Sequence, residues 1–119
     1  MLTGDFFTVR SIVQEKGTVH AVLELNATHK IFGGHFPGQP VVPGACLLQM
    51  IKEVMQQVTG NTLRLSVAHN LKFIAPIDPG KNPVIALRIT YAADLSISAS
   101  FLYDEITCCK FNGVFVVYP

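Results

Sequence analysis

The run His29–Gln57, HKIFGGHFPGQPVVPGACLLQMIKEVMQQ, changes character at its middle. Its first half is loop chemistry. Pro37, Pro40 and Pro43 fix backbone angles and remove donors, and glycines stand among them. Its second half is helical. Leu47, Leu48, Ile51, Val54, Met55 and Val58 recur at the spacing of one helix face, and Lys52, Glu53, Gln56 and Gln57 fall largely on the other. Pro43 and Gly44 stand where the helix starts, and proline suits a first turn because its missing N–H has no intrahelical partner there. Gly60 and Asn61 stop it. The spacing therefore predicts a helix over 44–59 and a shaped loop over 26–42, with the imidazole of His35 at the mouth of the rigid part.

On either side of this unit the pattern is strand. Residues 6–13 are β-branched and aromatic, and 15–17 read as a turn. Residues 18–25 alternate, with Val19, Ala21, Leu23 and Leu25 on one face. A hairpin follows from that pair. Beyond the helix, residues 63–74 read as one strand or a bent pair, and 83–91 and 95–103 as two alternating strands. Residues 106–118 form a last strand, with a bulge or further turn at Asn112-Gly113. Two strands, a long helix, then three or four antiparallel strands make an α+β domain over 1–119. One long central helix wrapped by a curved antiparallel sheet buries both apolar faces.

Composition narrows the function. Half of the residues are apolar and 14% are charged, which leaves more apolar surface than a small monomer hides, so a homo-oligomer paired through edge strands is expected. A net charge of +1 without a basic run excludes a nucleic-acid footprint. The first residues, MLTGDFFTVR, lack the basic-then-apolar pattern of a signal peptide, and no apolar run reaches the roughly 18–20 residues that span a bilayer. Cys46, Cys108 and Cys109 make neither a CxxC pair nor a zinc set with histidine, so no metal or other cofactor is expected. They fit a reducing cytoplasm as small core residues. Adjacent strand residues face opposite ways, so Cys108 and Cys109 are expected on different faces. His20, His29 and His69 read as structural or exposed, and Asp94 and Asp104 as turn residues.

The run His35 to Gly44, HFPGQPVVPG, resembles the signature HFPGxPxxPG of the 3-hydroxyacyl-[acyl carrier protein] dehydratases of bacterial fatty-acid synthesis. Ile31-Phe32-Gly33-Gly34 resembles the apolar-glycine run before that family's histidine. Residues 71–80, LKFIAPIDPG, resemble its "KF…P…PGD" stretch, with Lys81 where the acid usually stands. The resemblance implies a hotdog fold, a dimer or a trimer of dimers, and a site at the dimer interface. It implies an acyl carrier protein or coenzyme A thioester as substrate. His35 falls on the family's catalytic histidine, and Gly44 on the glycine whose N–H holds the thioester carbonyl. Phe32 and Phe36 fall where they can line an acyl channel or pack in the core. The family's catalytic carboxylate lies five residues beyond that glycine, where this chain has Gln49.

The chemistry shows what is at stake. Dehydration removes a proton from C2, gathers charge on the thioester oxygen and expels hydroxide from C3. Histidine titrates near working pH and suits the first step. Free N–H groups at a helix start suit the second. A carboxylic acid suits the third, whereas the Gln49 amide can hydrogen-bond but not transfer a proton. His35 acting as base and then acid is one rescue. Glu53, one turn beyond Gln49 but of a type usually solvated, is a second. A carboxylate from an active homologue in a mixed dimer is a third. Two other functions stay open: a non-catalytic acyl-binding subunit, and a hotdog thioesterase.

Overall fold

The structure, a computed structural model, describes residues 2–34 and 41–118. Strands β1 (Phe7–Glu15) and β2 (Thr18–Leu25) form the expected hairpin. Its turn needs Gly17, whose φ is 70° and where a Cβ would lie 3.1 Å from the Tyr91 carbonyl oxygen. A short helix, α1 (Lys30–Gly34), and the long helix α2 (Gly44–Thr59) follow, then β3 (Leu63–Phe73), β4 (Val84–Tyr91), β5 (Ser96–Tyr103) and β6 (Ile106–Val117). The six strands make one antiparallel sheet in the order β1-β2-β4-β5-β6-β3. After α2 the chain crosses to the far edge as β3, then returns beside β2 as β4. This is the hotdog architecture.

The core lies between α2 and one face of the sheet. Leu47, Met50, Ile51, Val54 and Met55 of α2 are buried, as are Leu23, Leu87, Ala99 and Phe111 from the middle strands. Each large aliphatic or aromatic side chain so buried stabilises the fold by about 1.5–3 kcal/mol. The helix ends at Gly60, which is left-handed (φ 72°) and donates its N–H to Gln56 O at 2.9 Å. The Gln56 side chain then accepts from Leu63 N–H at 2.9 Å, joining the helix end to the start of β3.

Several expectations are corrected. The segment expected as loop over 26–42 contains α1, which is five residues long and too short to show a period. Leu95 lies before β5 in a turn with φ 64°, where Asp94 Oδ1 accepts from Ser96 N–H at 3.0 Å. β6 runs unbroken through Asn112-Gly113, and the irregularities sit opposite, where β3 carries extra residues at Ser66 and His69. Gly113 is required by that approach, because a Cβ there would meet Val67 O at 2.6 Å. Cys108 and Cys109 are both buried, since a register shift beside Cys108 breaks the alternation. Glu53, expected in solvent, is 5% exposed.

Candidate functional site

The N-terminus of α2 opens onto a groove of about 390 Å³. Residues 41–44 and Leu47 form one wall, and residues 73–77 with Cys108 and Cys109 form the other. Among the described residues, no lining side chain carries a charge at neutral pH. Backbone hydrogen bonds fix the walls: Val42 N–H donates to Ile77 O at 2.9 Å, and Ile74 and Ala75 N–H both donate to Cys108 O at 2.8 and 3.1 Å. The two bonds to Cys108 continue the β3–β6 pairing, which sets Phe73 opposite Cys109.

Pro43 caps α2 in extended conformation (φ −64°, ψ 148°) without a side-chain cap bond. Its carbonyl accepts from Cys46 and Leu47 N–H at 3.0 and 3.2 Å. The N–H of Gly44 belongs to the first turn and has no intrahelical acceptor. Gly44 therefore brings a backbone donor and the positive end of the helix dipole to the groove wall. The Phe73 ring lies against it, and a Cβ on Gly44 would come within 2.6 Å of Phe73 Cζ.

The other expected site residues are placed as follows. His35 and Phe36 lie outside the described residues. Phe32 is buried against Phe6, with ring centroids 5.3 Å apart, and is not on the groove wall. Gln49 is half-buried one turn before Glu53, is likewise not on the groove wall, and donates from Nε2 to Glu53 Oε2 at 2.9 Å. Glu53 also accepts from Leu2 and Thr3 N–H, each at 2.8 Å, and from the Thr3 hydroxyl. Burial pushes its carboxyl up, but the bonds from Thr3, Leu2 and Gln49 outweigh burial and hold it below the ordinary carboxylate range. Glu53 is thus kept ionised near neutral pH, which removes it as a source of a proton for a leaving hydroxyl.

Sequence reading missed Phe73, Cys108 and Cys109 as wall residues, because only long-range pairing brings them to Gly44. The cysteines are free and buried. Burial raises the thiol of Cys108, and burial with the neighbouring Cys108 raises that of Cys109 to about 11. His29 is a structural residue: its Nε2 lies 3.1 Å from Asp5 Oδ2, its Nδ1 accepts from Ile31 N–H, and its ring meets Phe6 edge-on. Among the described residues, no three His, Cys, Asp or Glu side chains are grouped to hold a metal ion, and no helix is long and apolar enough to cross a membrane.

Comparison with known proteins identifies the family and the fold. Residues 11–112 match the model of the ApeI dehydratase family. The chain is 31% identical over 110 residues to a 3-hydroxyacyl-[acyl-carrier-protein] dehydratase FabZ of Aeromonas hydrophila, covering 89% of this chain and 67% of that protein. It is 27% identical over 97 residues to the FabZ of Novosphingobium aromaticivorans, covering 80% of this chain. The chain spans only 58% of the length of that second relative. Among solved structures, the dehydratase heterocomplex ApeI:P from Xenorhabdus doucetiae has a chain that superposes with a TM-score of 0.76 at 21% identity. That match covers 90% of this chain and 95% of its counterpart. The chain belongs to the ApeI-like dehydratase family, within the hotdog fold of the 3-hydroxyacyl-[acyl-carrier-protein] dehydratases.

Proposed function

We propose that the protein dehydrates a 3-hydroxyacyl thioester, carried on an acyl carrier protein or coenzyme A, to the trans-2-enoyl thioester. The observation that carries this reading is the run HFPGQPVVPG ending at Gly44, which opens a helix on the wall of a groove that is apolar among the described residues. His35 removes the C2 proton. The Gly44 N–H receives the charge that gathers on the thioester oxygen. The C3–O bond breaks, and the proton held on His35 passes to the departing hydroxide, which leaves as water. Gln49 orients the 3-hydroxyl and transfers no proton. Phe36 lines the acyl path, and Phe32 supports it from the core. The protein works in the cytoplasm as a homodimer or larger homo-oligomer. The test is conversion of 3-hydroxyacyl thioesters on both carriers, followed by ultraviolet absorbance of the enoyl product. Turnover that falls about 10²–10⁴-fold in His35→Ala supports the assignment. No interconversion on either carrier, in either direction, overturns it.

A second reading has its own support. Gln49 stands where the related enzymes have their acid, and its amide is tied to Glu53. On this reading the chain binds acyl thioesters without turnover and pairs with an active homologue. A related structure described as a heterocomplex makes such pairing chemically reasonable. Turnover that appears only when an active homologue is mixed in would select it.

A further inference from the structure

Helix α1 is five residues long and two of them are glycine, so local hydrogen bonding alone cannot hold it. Its supports are close in space and far off in sequence. His29 caps it. The ring Nδ1 accepts from Ile31 N–H and the His29 carbonyl accepts from Phe32 N–H, each at 3.1 Å. Because Nδ1 accepts, the proton of the neutral ring sits on Nε2, which donates to Asp5 Oδ2 at 3.1 Å. Phe6 is fully buried and meets the His29 ring edge-on at 5.4 Å and the Phe32 ring at 5.3 Å. The carbonyls of Phe6 and Asp5 accept from the backbone and side-chain N–H of Asn26 at 2.8 and 3.0 Å. The other end of this segment lies on α2, where Glu53 accepts from Leu2 and Thr3 N–H and from the Thr3 hydroxyl. Between the two ends the chain is a closed turn. Asp5 and Phe6 N–H donate to Leu2 O at 3.1 and 2.8 Å, and Gly4 is left-handed at φ 87°. A turn closed in this way passes a displacement at one end on to the other.

We propose that residues 2–6 are a clasp that sets α1 against α2, with His29 and Glu53 the positioning residues at its two ends. Helix α1 ends at Gly34, and His35 is the next residue in the chain; α2 begins at Gly44. The clasp therefore holds the chain that leads into His35 against the helix that presents the Gly44 N–H, and it does so from outside the groove. It also gives the buried charge of Glu53 a part, which the dehydration chemistry does not. Its effect on turnover rests on the dehydratase reading, whereas the fastening of α1 is measurable without substrate.

The test combines steady-state kinetics on a 3-hydroxyacyl thioester with amide exchange at Ile31, both on full-length protein. His29→Ala removes the cap and the ring. His29→Asn removes the ring but keeps the cap, because an asparagine side chain accepts from the N–H two residues on. Thr3→Pro cuts both bonds to Glu53 Oε1 and suits the turn, since proline is favoured before a left-handed glycine. A misplacement of about 1 Å lowers kcat by up to about 100-fold, so His29→Ala should lose about 10–100-fold in kcat with KM nearly unchanged. Exchange at Ile31 should quicken with it. His29→Asn should recover most of the kcat and of the protection. Thr3→Pro should lower kcat and quicken exchange at Ile31, although Thr3 does not touch α1. The double variant Thr3→Pro, His29→Ala should be no slower than His29→Ala, because both changes open one clasp. A merely structural role would lower the urea midpoint and leave kcat per folded molecule alone. That result overturns the proposal, as do effects that multiply in the double variant, His29→Asn no better than His29→Ala, or Thr3→Pro without effect at Ile31. If the parent protein turns over no 3-hydroxyacyl thioester, the dehydratase reading falls, and exchange at Ile31 in Thr3→Pro then decides the clasp by itself.

Discussion

A methyl group at position 44 would lie 2.6 Å from Phe73 Cζ, inside any tolerable contact. The backbone there is helical, so Gly44→Ala costs no strain in φ, and the helix propensity of alanine offsets part of the crowding. The Phe73 ring is 59% exposed and can swing away, which takes it off the groove wall. Gly44→Ala is therefore expected to fold, with Tm within a few degrees of the parent, and to lose about 10²–10³-fold in kcat/KM, as for a displaced oxyanion donor. Adding Phe73→Leu should return part of the loss. An unaltered kcat/KM would remove Gly44 from the site. Glu53 sets a second test. Its folded pKa lies below its ordinary value of 4.5, so the ionised form favours the fold. That contribution is complete above the ordinary carboxylate range and is lost as pH falls through the lowered folded value. Amide exchange at Leu2 and Thr3 should lose protection in acid, and Glu53→Gln should abolish that pH dependence. Gln49→Glu would bring a second carboxyl to the same place. Like charges at that distance keep one proton shared, so one group of the pair should titrate well above the usual carboxylate range. A carbon-detected NMR titration of the variant reads this directly, and two ordinary carboxylate titrations would contradict the short Gln49–Glu53 contact.

Strand β6 is held at Gly113 by two close approaches: a Cβ would meet Phe111 Cζ at 2.5 Å and Val67 O at 2.6 Å. The Phe111 ring is buried and the Val67 oxygen is backbone, so neither gives way cheaply. Gly113→Ala should destabilise the protein by about 1–3 kcal/mol in urea unfolding, and an unchanged midpoint would mean that β3 is not seated as described. This contact also shows where sequence reading stops. β2 and β4 were legible because a half-buried strand writes its two faces as alternation, and Val19, Ala21, Leu23, Ile85, Leu87 and Ile89 are all buried. α2 was legible to the residue because Pro43-Gly44 and Gly60 mark its ends chemically. Asn112-Gly113 was misleading, since a turn signal and a glycine demanded by a neighbouring strand look alike in sequence. Glu53 was misread for a related reason: what neutralises its burial is the backbone of Leu2 and Thr3, some fifty residues away. Half of the candidate site, the part in the signature, was on the page in the sequence. The other wall, Phe73 and the cysteine pair, exists only once β3 lies beside β6.

The sheet has two edges, β1 and β3, and β3 is the one that leads into the groove. Val67, Phe73 and Ile74 at that edge are 43%, 59% and 49% exposed, which is apolar surface that a lone copy leaves in water. An open edge strand with such side chains is suited to pair with another edge. A second copy docked through β3 would form an isologous pair and bring its own loop and helix to the same end of the molecule. Light scattering should report at least a dimer, and Val67→Lys should shift it toward monomer with loss of turnover. The arrangement makes a sharper demand if each site takes His35 from one copy and Gly44 from the other. On that arrangement, protein carrying His35→Ala alone or Gly44→Ala alone should keep at most about a hundredth of the parent's turnover. Co-expressed, they should assemble mixed dimers in which one site carries both lesions and the other neither. With random pairing, half of the dimers are mixed and each has one intact site, so activity should return to roughly a quarter of the parent. Recovery near that level requires a shared site. No recovery, with mixed dimers demonstrated by mass, would place both residues of each site in a single copy.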